Sequence, residues 1–380
     1  MMKTMVDTVK LLLTISDPMI LRKGAFTPLS VEQLAGTWGN HRTYLNPSPT
    51  YAKMGKYMPR LTLHRRPNKT RGVVYQLAIE FSAPKLLFKQ NFDEVTEADF
   101  EPIIAALQQC LFELTGHKFF PHQLKEAEVN AWHPCKNVVF MDYTSCQTIL
   151  NTIGKLDISR TYDLQRTNFR DGHVIHAHCN SQDIAFYDKL ADLRRAKISE
   201  KRAFEKDNGI QMSLLEPLKE VAPIEVLRYE VRLVGKKAVE RAYPDIETRT
   251  FENLYKKELC QGLLLKHWNK LTASVDMLSL DEKRPYQLFQ NYLIENPDAT
   301  PQAALAATAV LLIDGQEGVR NLRNLIEAAY TDTTWYRIKK LAKAPKAHRF
   351  SHFQQVTETL EKFTPTKMSE YLKHIENTSN

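Results

Sequence analysis

The chain has 380 residues, 43% of them apolar and 25% charged, and 52 Lys and Arg against 44 Asp and Glu give a formal charge of +8. These proportions exclude a disordered, collagen-like or coiled-coil chain, and the length predicts one large core with appendages or two domains. No apolar run approaches the roughly 18 residues of a membrane span, no secretory leader opens the chain, and five cysteines without a CxxC spacing predict a reducing, cytoplasmic setting without structural zinc.

In chain order, Asp7 to Ile15 is rich in β-branched and apolar residues and predicts a first strand. From Phe26 to Asn68 the Pro, Gly and Asn content predicts loops, with short strands near Met58 to His64. Val73 to Ser82 predicts a strand ended by Pro84. Glu97 to Thr115 carries Ile103, Ile104, Leu107, Leu111 and Leu114 at helical spacing, with Gly116 as C-cap. Val129 to Trp132 and Val138 to Asp142 predict two extended pieces, and Cys146 to Leu156 a helix. Gly172 to Lys189 predicts a hairpin, His173 to Cys179 against Gln182 to Asp188, turning at Asn180-Ser181. A charged helix over Leu190 to Lys206, a strand over Glu225 to Val234 and helices from about Thr248 complete the pattern. It predicts an α+β domain over 1–245 and a smaller all-helical domain over 246–380.

Basic residues gather in His64 to Arg71, Arg194 to Arg202 and Arg337 to Arg349, where a phosphate backbone could dock. The +8 charge points to a polyanionic partner, nucleic acid ahead of a membrane surface. Within 301–344, Pro301 to Ile313 is apolar, Gln316 to Ala329 is amphipathic, and Thr331 to Ala344 starts with capping residues and continues with Arg337, Lys339, Lys340 and Lys343. That order fits a helix-turn-helix whose last helix enters a major groove, and a plain three-helix bundle fits the apolar spacing equally well.

The hairpin carries the chemistry. Pairing across Asn180-Ser181 sets Cys179 opposite Gln182, His178 opposite Asp183, His176 opposite Ala185 and Val174 opposite Tyr187. His176, His178, Asp183 and Tyr187 then share one face, and Ile175, Ala177, Ile184 and Phe186 form an apolar one. Two imidazoles at i and i+2 can ligate a divalent ion beside a scissile phosphate. A tyrosine hydroxyl on the same face is a nucleophile, and Lys189, on the same parity, could lower its pKa or steady a pentavalent transition state. The same residues also fit ordinary packing, and Glu80 and Glu230, the latter between Arg228 and Arg232, read equally as ion pairs or metal ligands.

Asp183 to Leu193 (DIAFYDKLADL), followed by Leu227 to Leu233 (LRYEVRL), resembles the paired motifs of the gene II and gene X replication proteins of filamentous phages and their plasmid relatives. Ile79 to Lys85 (IEFSAPK) resembles an upstream motif of that family, and Asp7 to Leu11 its opening strand; the resemblance spans roughly 5–240. It implies an antiparallel-sheet, HUH-like nicking domain with flanking helices and a rolling-circle initiator that forms a 5′-phosphotyrosine intermediate. Tyr187 falls on the nucleophile, Lys189 on the lysine after it, Glu230 on the later carboxylate and Glu80 on the acidic residue before the Ser-x-Pro-Lys turn. His176-Ala-His178 has the form of the paired histidines of wider HUH enzymes, which gives Glu80, His176, His178 and Glu230 as ligands for Mg2+ or Mn2+. His133, Asp142 and Asp157 compete to complete the site. Arg228, Arg232, Arg337, Lys339, Lys340 and Lys343 are the expected DNA contacts. Partners would be double- and single-stranded origin DNA with the host helicase and polymerase, and no membrane. The alternatives are a non-catalytic phage or plasmid DNA-binding protein, either a repressor or a packaging factor, and a relaxase or transposase with the same nucleophile. With no GxxxxGK[ST] loop, a helicase in the same chain is disfavoured.

Overall fold

The computed structural model describes residues 5–68, 70, 72–141, 144–156, 166–169, 174–179, 182–196, 224–273, 285–330, 332–341 and 351–371. Its strands are β1 Val6–Ile15, β2 His41–Leu45, β3 Arg60–Asn68, β4 Gly72–Ser82, β5 Glu128–Phe140, β6 Arg166–Phe169, β7 Val174–Cys179, β8 Gln182–Asp188 and β9 Glu225–Val234. They form one antiparallel sheet in the order β2-β3-β4-β1-β5-β9-β8-β7-β6. The helices that matter below are α1 Phe100–Thr115, α2 Cys146–Lys155, α3 Lys189–Ala196, α4 Lys257–Thr272, α5 Pro301–Glu317, α6 Val319–Ala329, α7 Asp332–Leu341 and α8 Ser351–Lys362. The protein therefore has an α+β fold, with helices flanking the sheet and a largely helical C-terminal region.

Alternation along the strands decides which residues face the helices. On β9, Leu227, Tyr229, Val231 and Leu233 are all fully buried. The Tyr229 ring stacks on Phe186 of β8 with centroids 4.5 Å apart, and Trp268 of α4 lies 6.2 Å from Tyr229. α4 and α8 close this side, where Phe353 meets Trp268 at 5.3 Å.

Three elements differ from the sequence reading. The two extended pieces expected on either side of Pro134 are one strand, β5. Proline lacks the N–H a central ladder needs, but Pro134 pairs opposite Val6 where the β1–β5 register shifts, a place that tolerates it. The stretch expected to be loops with short strands near Met58 to His64 holds β3 at about that place, extended to Asn68, and also β2, which was not expected; together they extend the sheet beyond β4. Residues beyond 245 share the core with the sheet: Phe251, Leu254, Trp268, Val356, Leu360 and Phe363 are fully buried in the cluster that contains Val9, Leu11 and Tyr229. α5, α6 and α7 follow one another as three helices, with Trp335 of α7 buried and Arg337 and Lys339 exposed. The side chain of Lys340, residues Asp142, Asp157 and Lys343, the Asn180-Ser181 turn and most of the Arg194 to Arg202 cluster lie outside the described residues.

Candidate active site

The hairpin register is the expected one: Val174 pairs with Tyr187, His176 with Ala185, His178 with Asp183 and Cys179 with Gln182. On its other side β8 pairs with β9, setting Tyr187 opposite Arg228, Ala185 opposite Glu230 and Asp183 opposite Arg232. β5 then places Asn137 opposite Arg228 and Cys135 opposite Glu230. Directly paired residues share a face, so Tyr187, Arg228, Glu230, Arg232, Cys135 and Asn137 gather on the side away from the Phe186–Tyr229 stack.

Glu230 is the centre of this group. Its Oε1 accepts from the Tyr187 hydroxyl at 2.6 Å and from Arg228 Nε at 2.7 Å. Its Oε2 accepts from Arg232 Nε and Nη2, both at 2.7 Å. Arg228 is 1% exposed and uses its remaining donors on Asp7 at 2.9 Å, the Asn91 carbonyl at 2.8 Å, Asn137 Oδ1 at 3.1 Å and Cys135 Sγ at 3.1 Å. Asp7 in turn accepts from the Ser82 hydroxyl at 2.5 Å and the Asn91 amide at 3.3 Å. Lys189, at the start of α3, donates to Asn91 Oδ1 at 2.5 Å, and its ammonium lies 6.0 Å from the Tyr187 ring centroid.

The charges determine the protonation states. Burial alone would raise the Glu230 carboxyl, but Arg232 and Arg228 outweigh it and hold the group well below the usual carboxylate range. Asp7 is treated the same way, burial opposing and Arg228 prevailing, so it too is lowered. Burial, reinforced by the Glu230 charge, pushes the Tyr187 phenol well above its ordinary value. Lys189 is pulled down to about 7 by burial and by the Arg228 charge. Near neutral pH the site therefore holds two carboxylates, two guanidiniums, a protonated phenol and a lysine that is partly neutral.

Of the sequence-identified residues, Tyr187, Lys189, Arg228, Glu230 and Arg232 come together, and the expected metal ligands Glu80, His176 and Glu230 do not. Glu80 lies on β4, three strands from β9 or roughly 14 Å across the sheet at the usual spacing, in line with Val234 rather than Glu230, and its carboxylate is paired with Lys10 at 3.2 Å. His176 is two strands from β9, and the side chain of His178 is not described. Both oxygens of Glu230 are already taken by guanidiniums, whose charge opposes a divalent ion there. Arg228, expected to contact DNA, is enclosed, whereas the Arg232 side chain is 25% exposed. Among the three competitors for the last position, His133 stands near Arg232, Glu230, Asp7 and Glu80 with a buried Nε2 that has no hydrogen-bond partner. Asn91, Cys135 and Asn137 carried no signal in the sequence, since only β-pairing and the segment after β4 bring them in.

A separate cluster offers metal-ligand atoms within 4.8 Å of one another: Cys146 of α2, Asp188 of β8 and Glu225 of β9. Asp188 follows Tyr187 and points to the opposite face, so this triad sits behind the tyrosine. The Cys146 thiol is fully buried, and burial followed by the charges of Asp188 and Glu225 drives its pKa far above the usual thiol value. A cation would reverse that balance by replacing the thiol proton. Comparison with known proteins returns no matching family model, no matching curated protein and no matching solved structure.

Proposed function

We propose that this chain is a rolling-circle replication initiator that cuts one DNA strand with Tyr187 and later rejoins it. The observation that carries the reading is the Tyr187 hydroxyl held 2.6 Å from Glu230 and framed by Arg228, Arg232 and Lys189. A phosphodiester arriving at the partly exposed Arg232 competes with Glu230 for that guanidinium, and an Arg232 turned toward the phosphate leaves Glu230 more basic. Tyr187 Oη then attacks phosphorus and passes its proton to Glu230. The P–O3′ bond breaks, and the leaving 3′ oxygen takes a proton from water or a neighbouring acid. The product is a 5′-phosphotyrosine ester and a free 3′ hydroxyl, and reversal reseals the strand without ATP. Arg232 stabilises charge on the phosphorane, and Lys189 supplies a proton or a positive charge according to its state.

We assign the divalent cation to Cys146, Asp188 and Glu225 rather than to Glu230. A thiolate with two carboxylates suits Zn2+ or Mn2+ better than Mg2+. There it would brace the end of β8 behind Tyr187.

The second reading is a DNA-binding protein without chemistry. It is favoured by the complete satisfaction of both Glu230 oxygens, as in a structural ion network, and by exposed Arg337 and Lys339 on α7. One experiment separates the two. The protein is mixed with a supercoiled plasmid carrying the DNA that flanks its gene. A nicked circle with protein attached to the 5′ end supports the initiator, and tight binding without any nick supports the second reading.

A further inference from the structure

A cavity of about 460 Å³ opens between the start of β1, the end of β4 and the segment 46–58. That volume suits one small ligand, and the lining specifies its chemistry. Arg60 and Lys85 line it together with Glu80, the one carboxylate of the lining, which is paired with Lys10, and with Lys56, which is paired with Glu113 outside the lining. Tyr51 and Tyr57 supply aromatic faces. The Tyr57 hydroxyl accepts the Ser82 N–H at 2.7 Å and its ring lies 5.6 Å from the Lys85 ammonium, so it is fixed in place. A cationic, aromatic cavity of this size fits an anion joined to a flat ring.

Its position gives it a role. Lys10 pairs with both Glu80 and Ala131, and Ala131 has the parity of Cys135, the partner of Glu230, so the cavity opens on the same face as Tyr187. The wall residue Ser82 donates to Asp7 at 2.5 Å, Asp7 pairs with Arg228 at 2.9 Å, and Arg228 meets Glu230 at 2.7 Å. The wall and the nucleophile are thus held in one connected network. Tyr187 lies on β8, four strands from β4, and that separation of roughly 19 Å at the usual spacing is covered by about five or six stacked nucleotides of strand.

We infer that this cavity holds one deoxynucleotide of the cleaved strand, a few positions from the scissile phosphate, with its base against Tyr51 or Tyr57 and its phosphate at Arg60 and Lys85. The inference rests on the proposed function for the identity of the strand. Recognition here is of a nucleoside monophosphate unit, whether free or within a strand.

The test uses the full chain carrying Tyr187→Phe, so that binding is read without cleavage. Short single-stranded oligonucleotides with a photoreactive halogenated pyrimidine at successive positions are cross-linked and the adducts mapped, with free thymidine monophosphate and inorganic phosphate as competitors. The expected result is a cross-link to Tyr51 or Tyr57 from one or two adjacent positions, and an affinity about tenfold lower for Tyr51→Ala. Competition by the monophosphate shows a pocket that binds the unit alone, and a cross-link resistant to it shows one that needs the strand; both support the proposal. Cross-links that map elsewhere, together with unchanged affinity in Tyr51→Ala and Arg60→Gln, overturn it. Covalent adduct formation by the unsubstituted chain together with that negative map would leave the nicking reading standing and remove the pocket. A cross-link at Tyr51 without any adduct would do the reverse.

Discussion

The 2.6 Å hydrogen bond between Tyr187 and Glu230 can be cut from either end, and the two cuts should differ sharply. Tyr187→Phe keeps the ring and removes only the hydroxyl. A hydrogen bond to a charged group is worth about 1.5–3 kcal/mol. Glu230 Oε1 keeps Arg228 at 2.7 Å and Oε2 keeps Arg232, so the loss should fall at the low end, about 1.5 kcal/mol. Glu230→Gln instead leaves two guanidiniums, one of them 1% exposed, without their shared anion, and breaking a buried pair costs about 3–5 kcal/mol. Urea titration of both variants checks the stabilities, and denaturing gels of a labelled strand carrying the nick site check the adduct. Under the initiator reading Tyr187→Phe forms no adduct while remaining folded and binding the strand. An adduct of normal yield from Tyr187→Phe would refute the assignment of the nucleophile. Equal stability losses in the two variants would refute the charge argument.

Arg228→Met should cost a further measure of the same kind, about 3–5 kcal/mol, and adding Asp7→Asn should recover part of it, since Asp7 loses its main counter-charge; denaturant midpoints of the single and double variants decide. Lys189, at about 7 rather than 10.5, costs stability in full below pH 7, and the cost is relieved as pH rises from 7 toward 10.5. The stability difference between the unsubstituted chain and Lys189→Met should therefore climb with pH in that window, by at most about 1.4 kcal/mol per unit, and a flat difference would show an ordinary lysine. Ending the chain near residue 245 should give an insoluble product, because Phe251, Leu254, Trp268, Val356, Leu360 and Phe363 leave the core at about 1.5–3 kcal/mol each; a soluble, cooperatively folding fragment would contradict the shared core. Zn2+ should raise the melting temperature of the unsubstituted chain and not that of Cys146→Ala, measured by calorimetry with and without chelator.

The hairpin was legible because Ile175, Ala177, Ile184 and Phe186 recur on one face and the connection is short, so one register buries all four. β9 was legible for the same reason. The rest of the site depended on partners distant in sequence. Asp7 reaches Arg228 across 221 positions only because β1 enters the centre of the sheet and shifts register beside Pro134. Asn91 and Asn137 are common loop and strand residues until the fold places them around one guanidinium. The core shared by the sheet and the residues beyond 245 was not legible for a different reason: α4 and α8 have the apolar spacing of a free-standing bundle, and nothing local shows that their apolar sides meet a sheet.

The enclosure of Arg228 and Glu230 is itself an argument about function. Burying charges is costly, and an apolar substitute of similar volume often leaves a fold equally stable or more so. Here the ions occupy neighbouring strands in the middle of the sheet, with apolar layers available on the opposite face. The interior Arg228 fixes Asp7 and one oxygen of Glu230, while the outer Arg232 fixes the other oxygen and remains 25% exposed. An incoming anion can exchange with only the second of these. Under the initiator reading proposed above, the inner half would be the fixed support that holds the Tyr187 hydroxyl in position while the outer half changes partners, the division of work a reversible phosphoryl transfer requires.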